Sequence, residues 1–368
     1  MNKLFKSLIV LAAGSLLMVS CAKWTETESI PFEYATLQSK NPQLYEAYLA
    51  SVRAYHATEH QVLIAKFDNK EAAPAGRAEH LTCLPDSVDY VIVNNPAILN
   101  KVLLEEVKQI REEKGIRSLV NVSYDAVRSS VESTIAQAVE AIDAEFAALE
   151  EEAQAARQEE FDARKAEVQS QENFQTLAKD LTLKALALVE SSGVDGINVV
   201  FNGMNPVALT AEKKEAETAL QEPFFTLVNE WKAGHPDALV FFEGTPAYVL
   251  AATSVVTDAA YIIIPALAAL NQTAFNYAVE VSLGEGVPTD RIVIGVTAID
   301  ITDPANTNGT FTEGTAIVGA AQWAVTPAST YTKAGICVDH AQFDYFDITH
   351  VYSQINEAIS IMNPSPVK

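Results

Sequence analysis

Cysteine is scarce in this chain: Cys21, Cys83 and Cys337 are the only three among 368 residues. That number cannot supply the disulfide framework of a small stapled domain. Histidine is almost as rare, with six residues read as scattered and without a pair at helical ligand spacing. With no cysteine cluster beside them, the expectation is that no metal is held. Glycine is thin as well, and Gly284-Glu285-Gly286 lacks the lysine and helix start of a phosphate loop, so no nucleotide and no other cofactor is expected. Positive charge is outweighed, 25 lysines and arginines against 48 acids, giving a net charge of -23. Such a balance argues against nucleic acid and against an anionic membrane surface, while leaving neutral sugars compatible. His340 has Asp339 and Asp344 nearby in sequence but no serine or cysteine to complete a nucleophilic triad.

What is present is enough apolar residue for a large core. Hydrophobic residues make up 49% of the chain and charged residues 20%, the proportions of a globular protein. Eight apolar runs of strand length occur at about 60–67, 88–93, 116–123, 194–202, 238–243, 260–265, 291–297 and 334–340, separated by helical patterns. Alternating strand and helix predicts parallel α/β architecture, and eight units make a (β/α)8 TIM barrel the economical closure. A doubly wound open sheet is the alternative. One stretch exceeds a minimal barrel: after the third strand, residues of about 125–173 are rich in Ala, Glu and Gln, with Val131, Ile135, Val139, Ile142, Phe146 and Leu149 spaced by three and four. This predicts a long helical insertion, either a hairpin or one extended helix. Cys83 and Cys337 stand in apolar contexts and are expected as small core residues.

The beginning of the chain reads as a targeting segment. Lys3 and Lys6 precede an apolar run from Leu8 to Val19, and Leu17-Met18-Val19-Ser20-Cys21 ends in the small-residue-then-cysteine pattern of a bacterial lipoprotein signal. Residues 1–20 are therefore expected to be removed, with Cys21 lipidated as an anchor to the membrane. Residues 21–50 would form a tether and lead-in, and 51–363 the barrel. The acidic stretch Lys23-Trp24-Thr25-Glu26-Thr27-Glu28 resembles the signal that sends lipoproteins of Bacteroides-type bacteria to the cell surface. That resemblance implies an outer-membrane lipoprotein facing outward.

Chemistry centres on Asp195-Gly196-Ile197-Asn198-Val199-Val200-Phe201-Asn202. Ile197, Val199 and Phe201 alternate with Asn198, Val200 and Asn202, so the two sets face opposite sides of a strand. The segment resembles the fourth strand of glycoside hydrolase family 18, the chitinases and endo-N-acetylglucosaminidases, whose pattern is Asp-Gly-x-Asp-x-Asp-x-Glu. Aligned on Asp195-Gly196, the family's two aspartates fall on Asn198 and Val200, and its acid glutamate on Asn202. An amide can donate a hydrogen bond to a sugar but cannot deliver the proton that glycoside hydrolysis needs. The resemblance thus implies a hydrolase barrel without its acid, a non-catalytic receptor for N-acetylglucosamine-containing glycans of N-glycan type that serves an outer-membrane uptake complex.

In a barrel the residues just past the strand ends form the site. By that rule the expected glycan contacts are Asn94, Tyr124, Asn202, Glu243, Asp300, His340 and Tyr345, and the family resemblance adds Asn198. Two further departures from the family are read here. Tyr261-Ile262-Ile263-Ile264-Pro265 lacks a tyrosine and acid at its end, and Cys337-Val338-Asp339-His340 lacks the family's tryptophan, with Trp323 preceding the strand. Two competing functions remain: a hydrolase using Glu243 and Asp300 as another carboxylate pair, and a scaffold whose helical insertion binds protein.

Overall fold

The computed structural model describes residues 37–69, 74–95, 97, 99–346 and 350–365. The signal, Cys21 and the acidic stretch lie outside them. The chain divides into a lead-in through Tyr48 and a body from Leu49 onward. The described lead-in holds a one-turn helix, Leu37–Lys40, and the first turns of α1 (Pro42–His56), where the Asn41 side chain accepts the Leu44 N–H.

In the body, eight parallel strands close into a barrel in sequence order. They are β1 (Val62–Phe67), β2 (Tyr90–Val93), β3 (Arg117–Ser123), β4 (Gly196–Phe201), β5 (Leu239–Gly244), β6 (Tyr261–Pro265), β7 (Ile292–Thr297) and β8 (Lys333–Asp339). Each lies within the apolar run that announced it or within a residue of it. Closure leaves no strand edge unpaired, with β1 bonded to both β2 and β8.

Alternation along each strand builds two separate cores. Leu63, Ala65, Val91, Val120, Ile197, Val199 and Phe201 point outward and pack under the helices. Val62, Ile64, Ile92, Leu119, Phe241, Ile263, Val293 and Cys337 point inward and fill the barrel axis. Two residues further along the same strands, the inward positions change chemistry: Lys66 follows Ile64, Asn94 follows Ile92, Asn121 follows Leu119, Glu243 follows Phe241 and Asp339 follows Cys337. The period of two therefore puts a polar layer over the apolar plug, at the end where barrel sites form.

The insertion after β3 is a helical hairpin. Helix α2 (Lys101–Lys114) precedes β3; then α3 (Tyr124–Ala147) and α4 (Glu151–Val168) run out and back, and α5 (Gln171–Ser192) leads into β4. The Ser123 side chain caps α3 by accepting the Ala126 N–H. Phe146 meets the buried Phe161 edge-on with centroids 5.1 Å apart, and Arg157 and Arg164 each lie 5.0 Å from the Phe161 ring centroid. Arg164–Glu145 and Lys165–Asp143 pair the two helices across their exposed faces. At the root, Arg128 of α3 bonds the buried Glu217 of α6 (Ala211–Gly234) at 2.6 Å. A one-turn helix, Val255–Asp258, and three longer ones, α7 (Gln272–Ser282), α8 (Ala316–Ala324) and α9 (Ser353–Met362), follow among the described residues. Among the described residues no helix is long and apolar enough to cross a membrane. Cys337 is buried in the barrel and Cys83 half-buried against the outer core; both thiols are free.

Candidate functional site

Asp195 and Gly196 do structural work at the foot of β4. The Asp195 carboxylate accepts the Ser118 N–H at 2.8 Å and the Arg111 Nε–H, pinning the start of β4 to β3 and α2. Gly196 is required because a Cβ there would lie 2.0 Å from the Leu239 carbonyl oxygen. The motif's chemical positions follow, facing inward: Asn198 fully buried, Val200 half-buried and Asn202 exposed at the mouth.

Asn198 belongs to a ring of polar side chains across the barrel mouth. Its Nδ2 donates to Asn121 Oδ1 at 2.8 Å and to Glu243 Oε2 at 2.5 Å. Asn121 Nδ2 donates to Asn94 Oδ1 at 3.0 Å, and Asn94 Nδ2 to Asp339 Oδ1 at 3.3 Å. Lys66 closes the circuit, its Nζ 2.6 Å from Glu243 Oε1 and 4.0 Å from Asp339 Oδ2. Burial works to lower the Lys66 pKa, yet the charges of Glu243 and Asp339 outweigh it and raise the ammonium above its ordinary value. A lysine so placed stays charged and holds Glu243 as its counter-ion. The one acceptor without a partner in the ring is Asn198 Oδ1.

At the rim, Asn202 faces Asp125 of α3. Its backbone N–H lies 3.1 Å from Asp125 Oδ2 and its side-chain Nδ2 2.8 Å from the same oxygen. Burial raises the Asp125 carboxyl above its usual pKa, against the bonds from Asn202 that favour its charged form. Gly203, at φ 38°, turns the chain beneath this pair where a Cβ would strike the Phe201 ring. Across the mouth, His340 adopts φ 50°, stacks on Phe343 with centroids 5.6 Å apart, and lies 3.6 Å from Asp68 and 3.7 Å from Asp339. A depression of about 220 Å³ beside it is lined by Ile299, Ile301, Phe343 and Phe346.

Of the residues expected to line the site, Asn94, Asn198 and Glu243 meet in the ring and Asn202 and His340 stand at its rim. Lys66, Asn121, Asp125 and Asp339 join them. Lys66, Asp125 and Asp339 stand at strand ends, where a barrel site is sought, whereas Asn121 lies inside β3 and is marked only as an amide within an apolar run. Tyr124 is a correction: it is 2% exposed, packed among Phe201, Phe224 and Phe225, because the first turn of α3 points it outward into the helix layer. It is core and cannot meet a sugar. Tyr345 is half-buried, edge-on to Phe346 and Tyr352. Asp300 lies exposed on the loop after β7, where its carboxylate accepts both the N–H and hydroxyl of Thr302; that hydroxyl bond, first among its causes, lowers its pKa. Glu243 and Asp300 thus have different partners and share none. Trp323 is buried in α8, its indole N–H bonded to Asn276.

The histidines require a second correction. His56 and His60 are four residues apart, and both reach Asp89 Oδ1, His56 through Nδ1 at 2.9 Å and His60 through Nε2 at 2.7 Å. They straddle the end of α1, so the spacing is realised by a turn rather than along a helix face. The cluster lies at the amino-terminal end of the strands, opposite the polar ring.

Comparison with known proteins bears on this geometry. A family model described as "Glycoside hydrolase family 18, BT1044-like" matches residues 25–361. A solved structure of BT1044, a selenomethionine form with a glutamate-to-glutamine change, is 16% identical with a TM-score of 0.57, covering 91% of this chain and 98% of its own. The apo endo-beta-N-acetylglucosaminidase from Cordyceps militaris is 19% identical with a TM-score of 0.53, covering 86% of this chain and 96% of its own. At such identities the likeness establishes the fold. No curated protein is similar to the chain in sequence.

Proposed function

The chain belongs to glycoside hydrolase family 18, in its BT1044-like group, and from that premise we propose that it binds N-acetylglucosamine-containing glycans without hydrolysing them. One observation carries the reading. The three positions aligned with the family's carboxylates are an amide, a valine and an amide, and Glu243, the carboxylate bonded to Asn198, is clamped between Lys66 and Asn198. A general acid must reach the leaving oxygen of a sugar, and both Glu243 oxygens are spent on Lys66 and Asn198 inside the barrel. Asn94, Asn202, Asp68, His340 and the exposed ring of Phe346 offer the amide, carboxylate, imidazole and aromatic groups that sugar hydroxyls and pyranose faces take. The sugar class comes from the family, and an endo-beta-N-acetylglucosaminidase among the similar folds supports it.

The lipoprotein reading extends the proposal. With Cys21 lipidated and the acidic stretch after it as a surface signal, the barrel would stand on the outer face of the outer membrane and pass its glycan to an uptake complex. The opening residues support this through their sequence pattern alone.

A hydrolytic alternative rests on Asp125, whose carboxyl has a raised pKa and touches Asn202, the position of the family's acid. Titration calorimetry of the chain lacking residues 1–21 against a released N-glycan, followed by product analysis, separates the two. Saturable heat with intact glycan is the expected result. Appearance of cleaved product would overturn the non-catalytic reading and direct attention to Asp125.

A further inference from the structure

Each histidine at the barrel floor has both ring nitrogens aimed at oxygen. His56 Nε2 lies 2.9 Å from the Asp86 carbonyl and His60 Nδ1 2.8 Å from the Thr58 carbonyl, while their other nitrogens meet at Asp89 Oδ1. A neutral imidazole carries one N–H, and a carbonyl can only accept. If each ring spends its proton on its carbonyl, the lone pairs of His56 Nδ1 and His60 Nε2 point with Asp89 Oδ1 at one spot. All three atoms lie within 4.8 Å of one another. Three converging acceptors repel unless a cation sits among them.

Two kinds of cation meet the need: one extra proton on each ring, or one divalent metal ion. Both leave the same net charge, +1, when added to neutral rings and the Asp89 carboxylate. Two imidazoliums, however, would place two like charges side by side in a cluster whose side chains are only 5–9% exposed. A metal requires neither ring to hold a second proton. The surroundings also suit a metal. Carbonyls on the distal nitrogens fix tautomer and ring orientation, the outer-shell arrangement that metal-bound histidines use. Asp89 Oδ2 is tied to the Leu63 N–H at 2.8 Å, which orients Oδ1 alone toward the rings.

We propose that His56 Nδ1, His60 Nε2 and Asp89 Oδ1 bind a divalent transition metal of the zinc class, as a clip joining the end of α1 to the start of β2 at the floor of the barrel. Two imidazole nitrogens and one carboxylate oxygen are a donor set suited to zinc, and a solvent oxygen completes four-coordination. Binding displaces any proton on the two ligating nitrogens to solvent. The site is remote from the polar ring and independent of what that ring binds. Since barrel floors serve stability, its role is structural.

The test uses the full mature chain, dialysed against chelator and then titrated with zinc or cobalt(II) by calorimetry, with thermal unfolding followed in parallel. The expected result is about one equivalent bound, a higher Tm, and for cobalt the visible absorption of a four-coordinate ion. Asp89→Asn keeps an oxygen for the Leu63 N–H but turns an amide N–H2 toward both rings and so alters their hydrogen bonding as well as the ligand set; His60→Gln is the decisive variant, because its amide can still donate to Asp89. His60→Gln should weaken binding by more than the roughly 10- to 100-fold that loss of an outer-shell partner costs. Absence of saturable binding by the wild-type chain would overturn the proposal and leave protons as the cation. Unchanged affinity in a folded His60→Gln variant would overturn it equally.

Discussion

Asn198 Nδ2 sits 2.5 Å from Glu243 Oε2, so an amide donor stands against a carboxylate inside the barrel. Placing an acid there by Asn198→Asp would press two carboxylates together in a fully buried position and remove the donor to Asn121. The expected loss is about 2–4 kcal/mol at pH 7, of the size found for unsatisfied buried polar groups and broken buried pairs. Urea unfolding of both proteins at pH 7 checks it, and an unchanged midpoint would show that Asn198 and Glu243 are not coupled.

Lys66 is the sole cation of the ring, and its removal strands Glu243. Lys66→Met should cost about 3–5 kcal/mol because an uncompensated charge remains buried. Adding Glu243→Gln to the same chain should recover most of that loss. Equal instability of single and double variants in denaturant titrations would count against the ion pair as the cause.

Asp125 should titrate at a higher pH than a free carboxyl, since burial raises its pKa. Its native form therefore binds a proton in a window where the unfolded chain does not. That contribution to stability grows as pH falls from neutral through the raised value and is lost as pH rises through it. Asn202→Ala deletes a donor to the charged form and should move the midpoint higher still. Carbonyl-carbon NMR of the carboxyl, with Asp125→Asn to assign the signal, reads this directly; a downward shift in Asn202→Ala would contradict the contact.

Glycan affinity should fall about tenfold in Asn202→Ala, the loss of roughly one hydrogen bond to ligand. Asn202→Glu alone should produce no hydrolysis, because the new acid would face Asp125 on one side and apolar Val200 on the other. Calorimetry and product analysis measure both, and turnover by Asn202→Glu would mean that the remaining residues suffice for catalysis.

Most of the fold was legible because the barrel's strands are apolar runs bounded by helical patterns, and period and length locate them. The hairpin was legible as helix but its turn at Ala148-Leu149-Glu150 was not, since no glycine or proline marks it and Phe161 meeting Phe146 decides it. Asn94 and Glu243 could be named from strand ends, and Asn198 from the family resemblance. Their union into a ring with Lys66 and Asp339 depends on side chains meeting across the barrel axis, which no single strand encodes. Tyr124 misled because a residue just past a strand can begin a helix, and there it faces the helix layer. His56 and His60 escaped notice because the helix stops between them.

The two halves of the β4 motif rest on different residues: Asp195 and Gly196 secure the strand's foot, whereas Asn198, Val200 and Asn202 face the interior and the mouth. What assembles the strand is therefore separate from what the mouth presents. Val200 and Asn202 could change over generations while the foot of the strand stayed pinned. A gene-level survey keyed to Asp-Gly would then gather barrels by how they are built, and the inward side chains are what would sort them by what they can do.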